Sequence, residues 1–254
     1  QLIGHLLNTA QQSTAPLAQA AQRLQGEGAL PLGAAGDWTR EQLLSAATPM
    51  HAAWLAWRSR CPDDSPALPL RFAHGALALD DWLDGLRLGP EGLVQAELRA
   101  SRLLGRDGKS LRGHKLVDAW VLALVAAACG HTVQGCLIGS DAGVPWSLPD
   151  AARASDHLHD LIEFWFTGLQ QPLPVACKTA LAYLAKEDLE AAALVYDGGQ
   201  GPGEGSEPCL ARSWADFEAL NEEGQFEDLA RRLYGPMGDW IKGLRAQAWA
   251  CDSP

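Results

Sequence analysis

The stretch Ala76–Ser101, ALALDDWLDGLRLGPEGLVQAELRAS, decides the fold. From Leu93 to Ala100, Val94, Ala96, Leu98 and Ala100 alternate with Gln95, Glu97 and Arg99, a period of two that marks a half-buried strand. Gly89-Pro90 and Gly92 supply the turn before it. Ala76 to Leu88 reads as a second strand with a bend at Asp84-Gly85, and Leu68 to His74 as a third. The three predict an antiparallel meander.

Working outward, a polar, basic stretch leads into an apolar helix from about His114 to Cys129. Thr132 to Ile138 then reads as a fourth strand. Pro149 and Asp150 open a helix to about Gln171, with Leu158, Leu161, Ile162, Trp165 and Leu169 expected on its inner face. Further helices are expected at about 175–186, 187–196, 213–222 and 225–234, with Gly198 to Pro208 as a mobile loop. Upstream, residues 1–27 predict one or two helices broken near Pro16, and Asp37 an N-cap for a helix over about 39–58. The element order gives an α/β (α+β) class: a mixed sheet with flanking helices.

The chain has 254 residues, 20 basic and 31 acidic, a net charge of −11. That length is enough to bury a substantial core, and the composition, 47% hydrophobic, excludes a disordered tail, a collagen-like chain or a small disulfide scaffold. The negative balance argues against a self-sufficient nucleic-acid binder. The charge is uneven, however. Residues 99–115 carry Arg99, Arg102, Arg106, Lys109, Arg112 and Lys115 against Asp107 alone, +5, and the remainder carries −16. Such a concentration suits phosphate contacts, although a solvated loop or a docking patch has the same composition.

Asp84 on one strand, with Glu97 and Arg99 two apart on the next, has the layout of a magnesium-dependent nuclease site. Two carboxylates hold the metal and a cation assists the attacking water. An ordinary polar strand face has the same spacing. The six cysteines form no C-x-x-C, which suits thiols in a reducing cytosol. No apolar run reaches membrane-spanning length. The ten Trp include 54, 57, 82, 120, 165 and 240 at apolar-periodic positions, where core packing is expected. His157 and His159 point to different sides of their helix, and no P-loop, hydrolase-elbow or Rossmann pattern is present. The start at Gln1 within a helical pattern suggests a piece of a longer protein.

On these residues the chain resembles the C-terminal domain of RecC, the gamma chain of exodeoxyribonuclease V, over roughly residues 20–240. The similar stretches are RLQGEGALPLGAAGD, the Ala76–Ser101 meander, HKLVDAWVLALVAAACG, TVQGCLIG, SLPDAARASDHLHDLIEFWFTGLQQPLPV and EDLARRLYGPM. The resemblance implies a PD-(D/E)xK restriction-endonuclease-like core over residues 31–254, with residues 1–30 as a helical linker from the rest of a parent chain. It implies a domain without activity of its own that scaffolds RecB-like and RecD-like subunits and helps separate and guide DNA strands. Magnesium and ATP would belong to those partners, and the setting would be the cytoplasm, with no membrane.

By that resemblance Asp84, Glu97 and Arg99 occupy the nuclease positions, with Arg99 in place of Lys. An arginine stays protonated and cannot shuttle a proton as a lysine with a depressed pKa does. The upstream His has only His51 as a counterpart. The Gln-x-x-x-Tyr signature is replaced by Lys115-Leu116-Val117-Asp118-Ala119-Trp120. The DNA-binding candidates are Arg99, Arg102, Arg106, Lys109, Arg112 and Lys115. An active magnesium-dependent nuclease and a pure protein-interaction module are the alternatives.

Overall fold

The computed structural model describes residues 2–13, 16–199 and 201–248. Three helices come first: α1 (Leu2–Ser13), α2 (Leu17–Gly26) and the long α3 (Ala34–Arg60). The strands β1 (Leu68–His74), β2 (Leu77–Leu83), β3 (Leu86–Gly89) and β4 (Gly92–Leu98) follow. Helix α4 (Val117–Ala128) then crosses to β5 (Val133–Ile138), and β6 (Ala142–Trp146) and α5 (Ala151–Gly168) come next.

The expected three-stranded meander is instead two hairpins. β1 pairs with β2 in a sheet of their own, and β3 pairs with β4 in the central sheet. The strand expected over Ala76–Leu88 breaks at Asp84-Gly85, the point of the expected bend. Gly85 has φ +70°, a left-handed conformation that glycine adopts without steric cost, and it turns β3 away from the line of β2. The other edge of β3 is covered by residues 63–65, where Ser65 N–H donates to Leu86 O and Leu88 N–H donates to Asp63 O.

The central sheet runs β3-β4-β5-β6-β7, with β7 at Gln247–Ala248. β4 and β5 are parallel and the other pairings antiparallel. A parallel pair needs a crossover connection, and α4 supplies it. Its apolar surface is buried nearly all round, through Ala119, Trp120, Ala123, Leu124 and Val125.

Alternation along the strands sorts the two faces. Leu93, Val133 and Leu137 meet α4 and α5, while Ala96, Leu98, Cys136 and Ile138 meet α1–α3. Leu6, Leu7, Leu24 and Met50 are fully buried in that second layer, so α1 and α2 share its core with α3. Two strands have no counterpart in the sequence reading, β6 and β7. Gly143 and Pro145 disguise β6, since both residues are poor strand formers.

α3 starts at Ala34, five residues before the expected 39, so Asp37 lies in its first turn rather than capping it. A Cβ on Gly36 would sit 1.9 Å from the Pro31 carbonyl oxygen, so the tight entry to the helix requires glycine there. Asp37 accepts from Gln25 Nε2 at 3.1 Å and pairs with Arg40.

The C-terminal helices are α6 (Cys177–Lys186), α7 (Leu189–Asp197), α8 (Pro208–Ser213), α9 (Phe217–Leu220), α10 (Gln225–Leu229) and α11 (Gly235–Gly243). A single π turn, Ala230–Tyr234, joins the last two. They enclose a third core around Tyr183, Tyr196, Phe217 and Phe226. The Gly198–Pro208 stretch, expected as a free loop, contains a 3-10 turn at Glu204–Ser206 that is tied down. The Glu204 carboxylate accepts from Lys178 N–H, Thr179 N–H and Thr179 Oγ1 at 2.8–3.0 Å, capping α6.

Among the tryptophans, Trp54 and Trp120 are buried as expected. Trp82 is 55% exposed and Trp165 60%. Leu169, the residue after α5, is also exposed, and Trp165 lines an apolar cleft of about 560 Å³. Among the described residues no helix is long and apolar enough to cross a membrane, and Cys61, Cys129, Cys136, Cys177 and Cys209 are free thiols. Cys251 lies outside the described residues.

Candidate functional site

β4 carries Glu97 and ends at Leu98, with Arg99 directly after it. Arg99 N–H donates to Ile138 O at 2.9 Å, which extends the β4–β5 pairing by one residue and fixes where its side chain leaves the sheet. The guanidinium then bridges two carboxylates. Nη2 lies 2.6 Å from Glu97 Oε1 and 2.6 Å from Asp118 Oδ2.

Asp118 stands in the first turn of α4, where the helix dipole favours an anion. Partial burial opposes the Arg99 charge. The hydrogen bond and charge of Asp118 and the charge of Glu97 more than offset it, and its pKa lies above the ordinary arginine value. The acid-x-cation pair is thus closed on itself and on the next helix.

Asp84 is apart from this triad. It follows β2, outside both ladders, with its side chain exposed. Continuing the β3–β4 register past Leu86↔Gln95 would set Asp84 opposite Glu97. Its backbone carbonyl accepts from Gln95 Nε2 at 3.1 Å. Among the described residues no group of three His, Cys, Asp or Glu side chains is placed to hold a metal ion. His51 lies on α3 beside Trp54, and burial pulls its pKa below the ordinary value.

The basic segment forms a hairpin. Leu103 and Leu104 are buried and anchor its base. Leu104 bridges Leu111, Arg112 N–H donates to Leu103 O at 2.8 Å, and Gly105 N–H donates to Ser110 O at 2.7 Å. At the tip Asp107 Oδ1 accepts from Lys109 N–H, Ser110 N–H and Ser110 Oγ at 2.8–3.0 Å. Those bonds, the one from Lys109 foremost, hold the Asp107 carboxyl below the usual range.

The six cations therefore differ in their surroundings. Arg99 is consumed by the triad. Arg102 Nε lies 3.1 Å from Asp141 Oδ2, and the same carboxylate accepts from Leu103 N–H and Leu104 N–H. Arg106 and Lys109 are exposed. Arg112 returns along the second arm of the hairpin, and Lys115 lies in the 3-10 turn Gly113–Lys115 that leads into α4. Arg102, Arg106 and Arg112, together with Leu104 and Gly105, line one open cleft of about 370 Å³. His114, in the same 3-10 turn, has its pKa pulled down to about 4 by burial, with the charges of Arg112, Lys115 and Lys178 adding to it.

The acids that organise this region escaped the sequence reading. Asp118 lies just past the basic stretch and is visible as an acid near a helix start. Asp141, on the β5–β6 turn, has no local signal, because its role depends on the sheet bringing it beside residues 102–104.

Among protein families, the model of the RecC C-terminal domain matches residues 1–188. The matched span takes in α1 to α6 and every strand except β7; the similarity at EDLARRLYGPM lies beyond it. Among curated proteins nothing matches.

Proposed function

The chain belongs to the RecC C-terminal domain family, and from that membership we propose that it is a non-catalytic, nuclease-like domain of the RecC-like subunit of exodeoxyribonuclease V (RecBCD). In this reading it serves double-strand break repair and recombination, supporting RecB-like and RecD-like subunits and guiding DNA strands. Magnesium and ATP chemistry then lies with the partners. The β3–β4–α4–β5 arrangement, two antiparallel strands followed by a helix and a parallel strand, supports the nuclease-like reading of the core.

The observation that carries the non-catalytic reading is the ion triad. At the position where the nuclease reading needs a lysine free to exchange a proton, Arg99 is held by two carboxylates and its pKa is raised. Glu97, the carboxylate that would bind metal, is spent on the same guanidinium. Asp84 rides on the bend between the two hairpins.

The test is direct. The purified chain is incubated with linear duplex and single-stranded DNA in Mg²⁺ or Mn²⁺, and no cleavage is expected. Metal-dependent cleavage that disappears in Asp84→Ala would overturn the reading in favour of an active nuclease.

A further inference from the structure

We infer that Arg102, Arg106 and Arg112 form a seat for one backbone phosphate of a nucleic-acid strand. This deepens the DNA-guiding role proposed above and rests on it. The observation is that three arginines, Arg102, Arg106 and Arg112, are among the five residues that line one cleft of about 370 Å³. Like charges gathered this way repel one another unless an anion joins them.

The local acids do not supply that anion. Asp107, the one acid within the segment, has its Oδ1 engaged by the hairpin's own backbone and by Ser110. Asp141 meets Arg102 through Nε alone and divides its oxygens with the N–H groups of Leu103 and Leu104. That contact engages Nε and leaves the two outer nitrogens of Arg102 without a protein partner among the described residues. Among the described residues, Arg106 and Arg112 have no ion pair and no side-chain hydrogen bond.

The geometry favours phosphate. Arginine presents a planar fork of donors that matches the paired oxygens of a phosphodiester. Lys109 at the hairpin tip and Lys115 beyond Arg112 extend the positive charge outside the cleft, as a repeating polyanion requires. No aromatic ring lines the cleft, so bases have nothing there to stack on. The seat therefore reads backbone and not sequence.

The experiment measures binding of a fluorescent oligothymidylate by the 254-residue chain at low ionic strength, followed by a salt titration. The double variant Arg106→Gln/Arg112→Gln is expected to weaken binding about tenfold and to flatten the logarithmic salt slope by about 0.7, one phosphate's worth on a single strand. An oligoadenylate of the same length should bind equally. Arg71→Gln, on the exposed β1–β2 hairpin, should change nothing. Thermal melts check that the variants fold, and Arg106→Glu, at an exposed position, gives the same reading if the double variant does not.

Loss of binding in Lys109→Gln and Lys115→Gln, with the double variant binding like the parent, would overturn the seat and leave the DNA-guiding role standing. No binding by the parent chain would overturn both. Capture of a polyglutamate peptide instead of DNA, abolished by the double variant, would overturn the seat as a nucleic-acid site and mark an acidic-protein interface.

Discussion

Asp118 Oδ2 lies 2.6 Å from Arg99 Nη2, a contact that ties the end of β4 to the first turn of α4. It joins the two ends of the 99–118 connection, so the whole basic hairpin is carried on a closed base. It also places the one cation of the acid-x-cation pair against both neighbouring carboxylates.

Arg99→Lys restores the lysine of the nuclease pattern and is expected to leave the chain inactive. The new ammonium remains between Glu97 and Asp118, and Asp84 remains on its bend. Loss of the Nη2 contacts to the two acids should cost about 0.5–1 kcal/mol, the range of a partly exposed ion pair. Urea unfolding measures the second effect and a Mg²⁺ cleavage assay the first. Cleavage by this variant would mean that chemistry alone, and not geometry, disabled the site.

Arg87 offers a larger effect. Its side chain is buried and donates to the carbonyls of Cys61 and Pro62, at the end of α3, and to Asp64. It thereby caps a 27-residue helix and clamps it to β3. Arg87→Leu strips the donors from the buried Cys61 carbonyl and from the Pro62 carbonyl and is expected to lower stability by about 2–4 kcal/mol. The urea midpoint reports it. A variant as stable as the parent would show that the carbonyls find other donors.

His114 makes the fold sensitive to acid. Its pKa in the folded chain is about 4 against an ordinary 6.5, so the unfolded chain binds more protons between those values. The contribution of a neutral His114 is fully present above 6.5. It is lost progressively as pH falls toward 4. Glu204 opposes the depression, so Glu204→Gln should move the titration lower still, and it also removes a charged cap from α6. Imidazole resonances followed by NMR across this range provide the measurement. A midpoint near 6.5 would contradict the half-buried, cation-flanked setting.

The parts of the fold that could be read from sequence are those set by local pattern. The alternation of Val94, Gln95, Ala96 and Glu97 marks β4 because both faces of that strand meet different surroundings. The run from Val117 to Ala128 marks α4 because the helix is buried nearly all round. The bend at Asp84-Gly85 was also visible, but its consequence was not. Whether a bent strand stays in one sheet or divides between two depends on partners far along the chain. The same limit applies to the site. Arg99 and Glu97 are two residues apart and obviously related, whereas the Arg102–Asp141 contact exists only once β5 and β6 are paired. Trp165 shows the converse, since its helical spacing says inward while α5 has already outrun its support.

The parallel ladder between β4 and β5 also constrains the order in which the chain assembles. The β1–β2 and β3–β4 hairpins join neighbouring residues and lose little loop entropy in closing. β5 reaches its place only after residues 99–132 have wound into the hairpin and α4, and β7 joins β6 only when nearly all of the described chain has been made. Until β5 arrives, the edge of β4 that it pairs with stays open, and an unpaired strand edge is a template for pairing with another chain.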